Sequence, residues 1–373
     1  MRTPTDPELS IPFLDLRRAT ARVRAELDRA TAAVLDSGRY LHGERVARFE
    51  EQLAATVGAA HAVGVASGTD ALELALRAIG VGAGDEVVTQ ANTCPPTIEA
   101  IRRTGATPVL CDADPESGIV DLDSLGQALS PRTRAIVPVH LHGQCADMDG
   151  IAGLAGERGV DVVEDCAQAH GARYRGRAAG SLGRAASFSF YPTKNLGAVG
   201  DAGAVVTDDA ALAERLRRLA AAGGRMAAGC RMDEIQAAVL LVKLPGLAAS
   251  NRRRAEIADV YRQSLAGSAI RPLAHLPDRV HAYHHFVVRT DARDAFRAAL
   301  AAHGVETAVH YPRAVHEYPG YEHLAPGPVP LAGAEQLARA VVSLPLFPEL
   351  TDHEVAAAAG AARKAAGVGY AAA

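Results

Sequence analysis

The 373-residue sequence lacks most features of membrane, nucleic-acid-binding and disulfide-bonded proteins. No run of about 18 uninterrupted apolar residues occurs, so no segment is expected to span a membrane. The only basic run is 252–254 and the formal net charge is −4, so neither nucleic acid nor a membrane surface is an expected partner. Five cysteines without a C-x-x-C pair predict neither a disulfide framework nor a zinc site. The polar, acidic N-terminus has no signal-peptide apolar segment, and we expect a soluble cytoplasmic protein.

Lysine is also scarce, and the position of one lysine is informative. Only Lys194, Lys243 and Lys364 occur, and the last two lie in helical patterns. Lys194 follows a strand-like run and Pro192 in the segment SFSFYPTKN. Lysine is rarely buried without a reason, and one reason is Schiff-base formation by a desolvated amine. An exposed loop lysine is the alternative that the sequence alone leaves open.

The chain is too long for one hydrophobic core and suits two domains. Through the first two thirds, short β-branched runs alternate with helical patterns, which predicts a mostly parallel sheet with helices on both faces. The predicted strands are 62–66, 86–90, 107–111, 135–140, 160–164 and 187–191. The predicted helices are 17–37, 46–57, 71–79, 96–103 and 147–157.

The pattern changes near Pro245. A helical stretch at 233–261 crosses this point and is followed by a strand at 284–288 and helices at 293–303, 332–343 and 353–366. We interpret this part as a smaller α+β domain. The predicted boundary therefore divides the chain into residues 1–245 and 246–373.

The segment SGTDAL at 67–72 lies between a predicted strand and a predicted helix. Gly68 would let the backbone approach a ligand closely, and Thr69 with the next backbone N–H groups could bind an anion at the helix N-terminus. Taken alone, the segment is better explained by N-capping through Ser67, Thr69 or Asp70.

Two adjacent acids end the strand predicted at 160–164. Glu164 and Asp165 place one carboxylate at the edge of the sheet where α/β proteins bind ligands. A carboxylate beneath a pyridine nitrogen would keep that nitrogen protonated, and Gln168 could bind a neighbouring ring substituent. A loop salt bridge or a helix N-cap is the alternative. Because Lys194 follows Asp165 by 29 positions, phosphate donors, a ring-nitrogen partner and a lysine could converge at one edge.

Long runs of the chain resemble one family. The runs SGTDALELAL, EDCAQAHGARYRGRAAGSLG, SFSFYPTKNLGAVGDAGAVV and RMDEIQAAVL are similar to the DegT/StrS family of sugar aminotransferases, as are SGRYLHG, VHYPRAVH and SLPLFPEL. The resemblance covers nearly the whole chain. It implies an α/β protein with the pyridoxal phosphate (PLP)-dependent transferase fold type I, in which a large domain with a mostly parallel sheet flanked by helices precedes a smaller C-terminal α+β domain. It also implies a homodimer with active sites at the interface.

The resemblance assigns roles residue by residue. Lys194 matches the lysine that carries PLP as a Schiff base, and it would also be the general acid and base of the proton shift. Asp165 matches the partner of the pyridine nitrogen, and Gln168 matches the contact to the ring hydroxyl. The positions matching phosphate contacts are Gly68, Thr69 and Ser189.

The substrate is predicted by resemblance alone. The run Lys194-Asn195-Leu196-Gly197-Ala198 is similar to members that aminate carbon 3 of a nucleotide-linked keto-sugar, with glutamate or glutamine as amino donor. Such an enzyme would serve amino-deoxy sugar biosynthesis for an antibiotic or a surface glycan. Tyr311, His310 and His316 are candidate contacts to the sugar or diphosphate, and the two histidines could instead be surface residues. The alternatives are a cyclitol (inosose-type) aminotransferase and a regulatory relative that binds the cofactor without turnover.

Two segments depart from the family. Cys94 stands where an aromatic residue often covers the cofactor ring, and a thiol can pack against a ring without stacking. The segments 221–223 and 229–234 lack most of the side chains with which the family reaches the phosphate of the neighbouring subunit. Arg225 or Arg231 could replace them, although a salt bridge at the start of the helix near Asp233 would explain Arg231 equally well. Weak cofactor retention is expected.

Overall fold

The computed structural model describes residues 10–221, 230–324 and 327–367. The strands are β1 (His61–Val65), β2 (Glu86–Gln90), β3 (Thr107–Cys111), β4 (Thr133–Val137), β5 (Asp161–Asp165), β6 (Arg173–Tyr174), β7 (Arg177–Ala178), β8 (Ala185–Ser189), β9 (Gly203–Thr207), β10 (Arg271–Pro272), β11 (Arg279–Val280), β12 (Phe286–Arg289) and β13 (Val341–Leu344). The α-helices are α1 (Leu16–Arg22), α2 (Arg24–Ser37), α3 (Glu44–Val57), α4 (Gly68–Ala78), α5 (Pro95–Thr104), α6 (Leu122–Ala128), α7 (Met148–Arg158), α8 (Ala210–Ala221), α9 (Glu234–Lys243), α10 (Leu247–Leu265), α11 (Arg293–Ala302), α12 (Ala332–Ala340) and α13 (Asp352–Ala365). Among the described helices, none is long and apolar enough to cross a bilayer.

The central sheet has seven strands in the order β1-β9-β8-β5-β4-β2-β3. Strand β9 is antiparallel to β1 and β8, and the other neighbouring pairs are parallel. Its strands are short and are buried almost throughout, as expected for a sheet covered on both faces. The predicted α/β fold with a mostly parallel sheet is therefore confirmed.

Helix α4 shows how the local sequence prepares one edge of this sheet. The Ser67 hydroxyl accepts a hydrogen bond from the Asp70 N–H at 3.1 Å and donates to Asp70 Oδ2 at 2.8 Å. The predicted N-cap is therefore present. Helix α4 packs against β8 and β9, and its N-terminus lies beside Ser189 at the end of β8 and Gly203 at the start of β9.

A second core lies around the antiparallel sheet β10-β12-β13. It combines buried residues of α10, α11 and α13 with β12 and β13, and it includes Ile11 near the start of the chain. The Ile11 N–H donates to the Gly304 carbonyl at 2.8 Å, so the N-terminal segment is anchored to this C-terminal core. The domain boundary between residues 245 and 246 stays a prediction.

Two of the helices expected from the sequence are interrupted. The predicted helix at 17–37 divides at Val23, whose φ of −126° and ψ of 24° are not helical. The predicted stretch at 233–261 divides at the 3₁₀ turn Leu244–Gly246, where Pro245 cannot donate a backbone hydrogen bond. In both places the polar and apolar periodicity continues across the break, so periodicity alone did not reveal it.

The helix predicted at 332–343 was wrong at its C-terminal end. Helix α12 stops at Ala340, and Val341 and Val342 belong to β13, which pairs with β12. β-Branched residues fit a buried strand better than a helix. Strand β9 was missed because its short run GAVVT follows a glycine-rich segment, and its place in the sheet depends on pairing with distant strands.

Candidate active site

The lysine singled out in the sequence lies next to the carboxyl ends of β5 and β8. Lys194 follows β8 in a turn in which its N–H donates to the Tyr191 carbonyl at 2.8 Å. Burial is the main cause that lowers the pKa of the Lys194 amine, while the neighbouring Cys94 and Asp165 oppose this change. A lowered pKa raises the fraction of free amine, which is the nucleophilic form.

Asp165 ends β5 and is buried. Its Oδ2 accepts a hydrogen bond from the Thr97 hydroxyl at 3.0 Å, and its Oδ1 accepts one from the Ala167 N–H at 3.1 Å. Burial raises the pKa of the carboxyl, and Lys194 acts in the opposite direction. Since a carboxylate has about four acceptor positions, Asp165 has capacity for a further cationic donor.

The preceding acid, Glu164, has no such capacity. Its side chain accepts hydrogen bonds from three backbone N–H groups and contacts His140 Nε2 at 2.9 Å. The Ala146 N–H donates to His140 Nδ1 at 3.1 Å, so Nε2 carries the ring proton and donates to Glu164. Glu164 is therefore a structural acid that holds the segment 180–183 against the sheet.

Gln168 is buried and connects the site to a distant segment. Its Oε1 accepts a hydrogen bond from the His142 N–H at 2.6 Å, and its Nε2 donates to the Tyr311 hydroxyl at 3.0 Å. The Tyr311 hydroxyl also contacts Cys94, whose thiol pKa is raised by burial. The structure thus brings Gln168, Tyr311 and Cys94 together, and Cys94 is a neutral thiol at the start of α5.

The predicted anion-binding turn lies against Ser189. A Cβ atom added to Gly68 would be 2.5 Å from the Ser189 Cβ, so this position requires glycine. The first turn of α4, which includes Thr69, has backbone N–H groups without partners inside the helix. These groups and the Ser189 hydroxyl form a cradle suited to a phosphate.

The candidate substrate residues have different surroundings. His310 stacks on His285 with ring centroids 3.8 Å apart, and its Nδ1 contacts the Ser343 hydroxyl at 2.8 Å. Burial lowers the pKa of His310 to about 4, so its ring is neutral near pH 7. His316 contacts Glu335 at 3.3 Å, which is its only polar side-chain partner among the described residues. Tyr311 therefore lies in the site, and His310 lies beside it. His316 instead contacts Glu335 of α12.

Sequence reasoning missed several histidines around Lys194. His142, His284 and His285 are buried, and burial lowers their pKa values, to about 3 for His142. His284 Nδ1 contacts Asn195 Oδ1 at 3.1 Å, which fixes the residue next to Lys194. The runs HLHG and HAYHH are unusually rich in histidine and were the available signal. Thr97, the partner of Asp165, gave no such signal.

The segment that departs from the family is only partly described. Residues 222–229, which include Arg225, lie outside the described residues. Arg231 contacts His42 Nε2 through Nη1 at 3.1 Å and forms no ion pair with an acid in the described parts of the chain. Asp233 instead caps α9 by accepting from the Gln236 N–H. The suggested salt bridge at the start of this helix is therefore not formed.

The arrangement fits pyridoxal phosphate on two structural grounds. The Gly68–Ser189 cradle can hold a phosphate, and Asp165 can accept a hydrogen bond from a protonated ring nitrogen. Together with a lysine of lowered pKa beside the same edge of the sheet, these features define a PLP-dependent transferase of fold type I.

Comparisons with known proteins identify the family. Residues 22–362 match the model of the DegT/DnrJ/EryC1/StrS aminotransferase family, and the chain belongs to this family of PLP-dependent aminotransferases. It is 47% identical over 348 residues to the dTDP-3-amino-3,4,6-trideoxy-alpha-D-glucose transaminase of Streptomyces venezuelae, covering 91% of this chain and 92% of that protein. It is 42% identical over 366 residues to the UDP-N-acetyl-3-dehydro-alpha-D-glucosamine 3-aminotransferase of Acidithiobacillus ferrooxidans, covering 95% and 98%. The crystal structure of S. venezuelae DesV is similar with a TM-score of 0.93, 46% identity, and coverage of 96% of this chain and 99% of that chain.

Proposed function

We propose that the protein transfers an amino group from glutamate or glutamine to carbon 3 of a nucleotide-linked keto-sugar in amino-deoxy sugar biosynthesis. The observation that carries this proposal is the cluster of Lys194, Asp165 and Gln168 at one edge of the sheet in a chain 47% and 42% identical to two sugar 3-aminotransferases. The two relatives act on sugars carried by different nucleotides, dTDP and UDP, so their shared feature is the position of the amino group.

The proposed roles follow from the contacts of each side chain. When bound, PLP supplies an electron sink for the bond changes at the amino-bearing carbon. Lys194 would hold the cofactor covalently, and its amine nitrogen would also be the atom that holds and moves the proton. Asp165, oriented by Thr97, would keep the ring nitrogen protonated. Gln168, which is held by the His142 N–H and the Tyr311 hydroxyl, would orient the ring through a contact with the ring hydroxyl.

The phosphate would be held by the chain's own cradle. Gly68 and Thr69 supply backbone N–H groups at the start of α4, and Ser189 supplies a hydroxyl. We further propose a homodimer with active sites at the interface, in which Arg231 or Arg225 of one subunit replaces the family's usual phosphate contacts to the other. Arg231 contacts His42 and forms no ion pair with an acid in the described parts of the chain. Its guanidinium therefore keeps N–H groups that could bind a phosphate, which supports this role.

On the substrate side, Tyr311 is the best-supported contact because its hydroxyl already lies beside Gln168 and Cys94. His310 would contact the sugar or diphosphate as a neutral ring. His316 has the weakest support since its contact is with Glu335.

The function can be tested by supplying the holoenzyme with glutamate and one acceptor at a time while the cofactor absorbance is followed. The acceptors are a nucleotide 3-keto-sugar, the matching 4-keto-sugar and an inosose. Turnover with the 3-keto-sugar is expected. Turnover with the inosose alone would favour a cyclitol aminotransferase, and cofactor binding without turnover of any acceptor would favour a regulatory protein.

The role of Lys194 has a separate test. Lys194→Ala should abolish the absorbance of the covalently attached cofactor and reduce turnover to background, because the amine both attaches the cofactor and carries the proton. The control is Lys364→Ala, which removes an exposed lysine of α13. Turnover by Lys194→Ala at a rate close to that of the control would contradict the assignment.

A further inference from the structure

Asn195, the residue that follows Lys194, is a centre of hydrogen bonding. Its Nδ2 group donates to Asn251 Oδ1 of α10 at 2.9 Å and to the Ala282 carbonyl at 2.7 Å. Both hydrogens of the amide are thereby used, and its oxygen faces His284 Nδ1 at 3.1 Å. That ring nitrogen therefore carries the proton and donates. The side chain beside the lysine thus joins its loop to α10 and to the segment 282–284.

Asn251 extends this network to a further segment. Its Nδ2 donates to the His170 carbonyl at 2.7 Å, in the segment that follows Asp165 and Gln168. The adjacent Gly171 has a φ of +79°, and a Cβ atom added there would be 2.8 Å from Asn251 Nδ2. The left-handed backbone and the close approach of the amide both favour glycine at this position. The contact is therefore closely packed as well as hydrogen-bonded.

The Asn195–Asn251 pair lies between the two segments that carry the site. One is the loop of Lys194, and the other is the segment that follows Asp165 and carries Gln168. Hydrogen bonds from supporting side chains set how precisely the reacting groups of a site are held. Because Asn195 adjoins the lysine, its hydrogen bonds fix the backbone from which the reactive amine extends.

The same loop has two further side-chain contacts, both to α9. Lys243 Nζ donates to the Gly197 carbonyl at 2.7 Å, and Gln236 Oε1 accepts from the Val199 N–H at 3.0 Å. These contacts lie three and five residues beyond Lys194, so they hold the far part of the loop. They provide an internal comparison for the contact next to the lysine.

We propose that Asn251 is a positioning residue for the reaction at Lys194, and that it acts through Asn195. The amine must meet the reactive carbon of the cofactor in a defined geometry, and a displacement of about 1 Å can reduce such a reaction by about a hundredfold. Noncovalent binding of the cofactor depends instead on the Gly68–Ser189 cradle and on Asp165. This inference rests on the proposed attachment of PLP to Lys194, and it adds a residue that acts on the loop rather than on the cofactor.

The test compares two forms of the cofactor on the full-length holoenzyme. PLP carries the aldehyde that reacts with Lys194, whereas pyridoxamine phosphate (PMP) has an amine in its place and binds without a covalent bond. The release of each form into excess inorganic phosphate is followed by absorbance. Asn251→Leu keeps the approximate size of the side chain and removes its polar groups. We expect PLP release to become roughly tenfold faster, the effect of about one lost hydrogen bond, and PMP release to change by less than about twofold.

The matched control is Gln236→Leu, which frees the same loop at Val199. It should leave the ratio of the two release rates close to that of the wild type, and an equal ratio in Asn251→Leu would overturn the proposal. In a Lys194→Ala background, Asn251→Leu should not accelerate PLP release further, since the amine that it positions is absent. A further acceleration there would contradict the inference. Unchanged PLP release in Lys194→Ala alone would instead contradict the proposed attachment.

Asn251→Leu leaves the His170 carbonyl and one Asn195 N–H without their partner, and a second variant decides if it fails to fold. Asn251→Asp keeps an oxygen that accepts from Asn195 but cannot donate to the His170 carbonyl. It should therefore retain the wild-type ratio of release rates. Selective acceleration of PLP release in this variant would show that the contact with Asn195 does not hold the lysine.

Discussion

Two adjacent acids of β5 have opposite surroundings. Glu164 and Asp165 are both buried, but alternation along a strand directs their side chains to opposite faces of the sheet. The carboxylate of Glu164 has four nitrogen donors, His140 and three backbone N–H groups. The carboxylate of Asp165 has two, Thr97 and the Ala167 N–H, and faces Lys194.

The difference separates an acid that holds the fold from an acid that is available to a ligand. A buried carboxylate with a full set of hydrogen bonds has no acceptor left, so its removal is expected to affect stability. For a buried carboxylate with spare acceptor capacity, the free-energy cost of burial is offset only when a cationic partner binds. Burial alone does not distinguish the two residues, whereas the count of donors does.

The largest expected effect in a test of this comparison is the loss of activity in Asp165→Asn. The amide cannot stabilise a protonated ring nitrogen, so we expect turnover to fall by about 10²–10³-fold, the size seen when one key electrostatic contact is removed. The thermal midpoint should change little because the amide oxygen can still accept from the Ala167 N–H, and the Thr97 hydroxyl can rotate to accept from the amide NH2 group. Turnover and thermal melts of the same preparations provide the check, and a variant with near-normal turnover would contradict the assignment.

Glu164→Gln should show the opposite behaviour. Its amide nitrogen would face backbone donors of the segment 180–183, so a buried network loses a partner, and we expect the free energy of unfolding to fall by about 2–3 kcal/mol. Activity per folded molecule should be largely kept. Denaturant unfolding measures the first quantity and active-site titration the second. A variant as stable as the wild type but inactive would reverse the roles of the two acids.

Thr97→Val should give a smaller effect of a different kind. It removes the hydroxyl that donates to Asp165 Oδ2 and so raises the pKa of the carboxyl further. Because the ionised carboxylate is the active form, the acid limb of the pH–activity profile should move to higher pH, by about one unit for the loss of one such hydrogen bond. Thr97→Ser, which keeps the hydroxyl, should restore the wild-type profile. A profile unchanged in the valine variant would show that Thr97 does not tune this acid.

The same contrast explains how much the sequence could reveal. Lys194 and Asp165 were identifiable because Asp165 ends one strand and Lys194 follows another, and both strands end at the ligand edge of the sheet. The sequence also showed that two acids stand together, and the family pattern selected the second. Thr97 lies 68 residues from its partner, and that contact exists only when the first turn of α5 meets the end of β5, so no local pattern marks it.

The fold shows the same limit. Strands buried on both faces, such as β1 and β2, contain short apolar runs, AVGV and VV, that the sequence displays directly. The secondary structure of β9 and of residues 341–344 is ambiguous from the local sequence. Strand β9 is fixed by pairing with β1 and β8, and residues 341–344 by pairing with β12. Long-range hydrogen bonding, rather than local preference, sets these elements.

The smallest expected effect concerns the stability of the cofactor-free protein as a function of pH. Burial raises the pKa of Asp165 in the folded state above its unfolded value of about 3.9, so the folded protein binds this proton more tightly than the unfolded chain. The contribution to stability is therefore fully present below the unfolded pKa and is lost as pH rises through the folded pKa. Asp165→Asn carries no titrating group, so the unfolding free energy of the wild type minus that of this variant should fall across this pH window. A difference that stays constant with pH would mean that the carboxyl is ionised without cost. Bound PLP should reduce the slope, because a protonated ring nitrogen beside Asp165 stabilises the ionised carboxylate that the empty site disfavours.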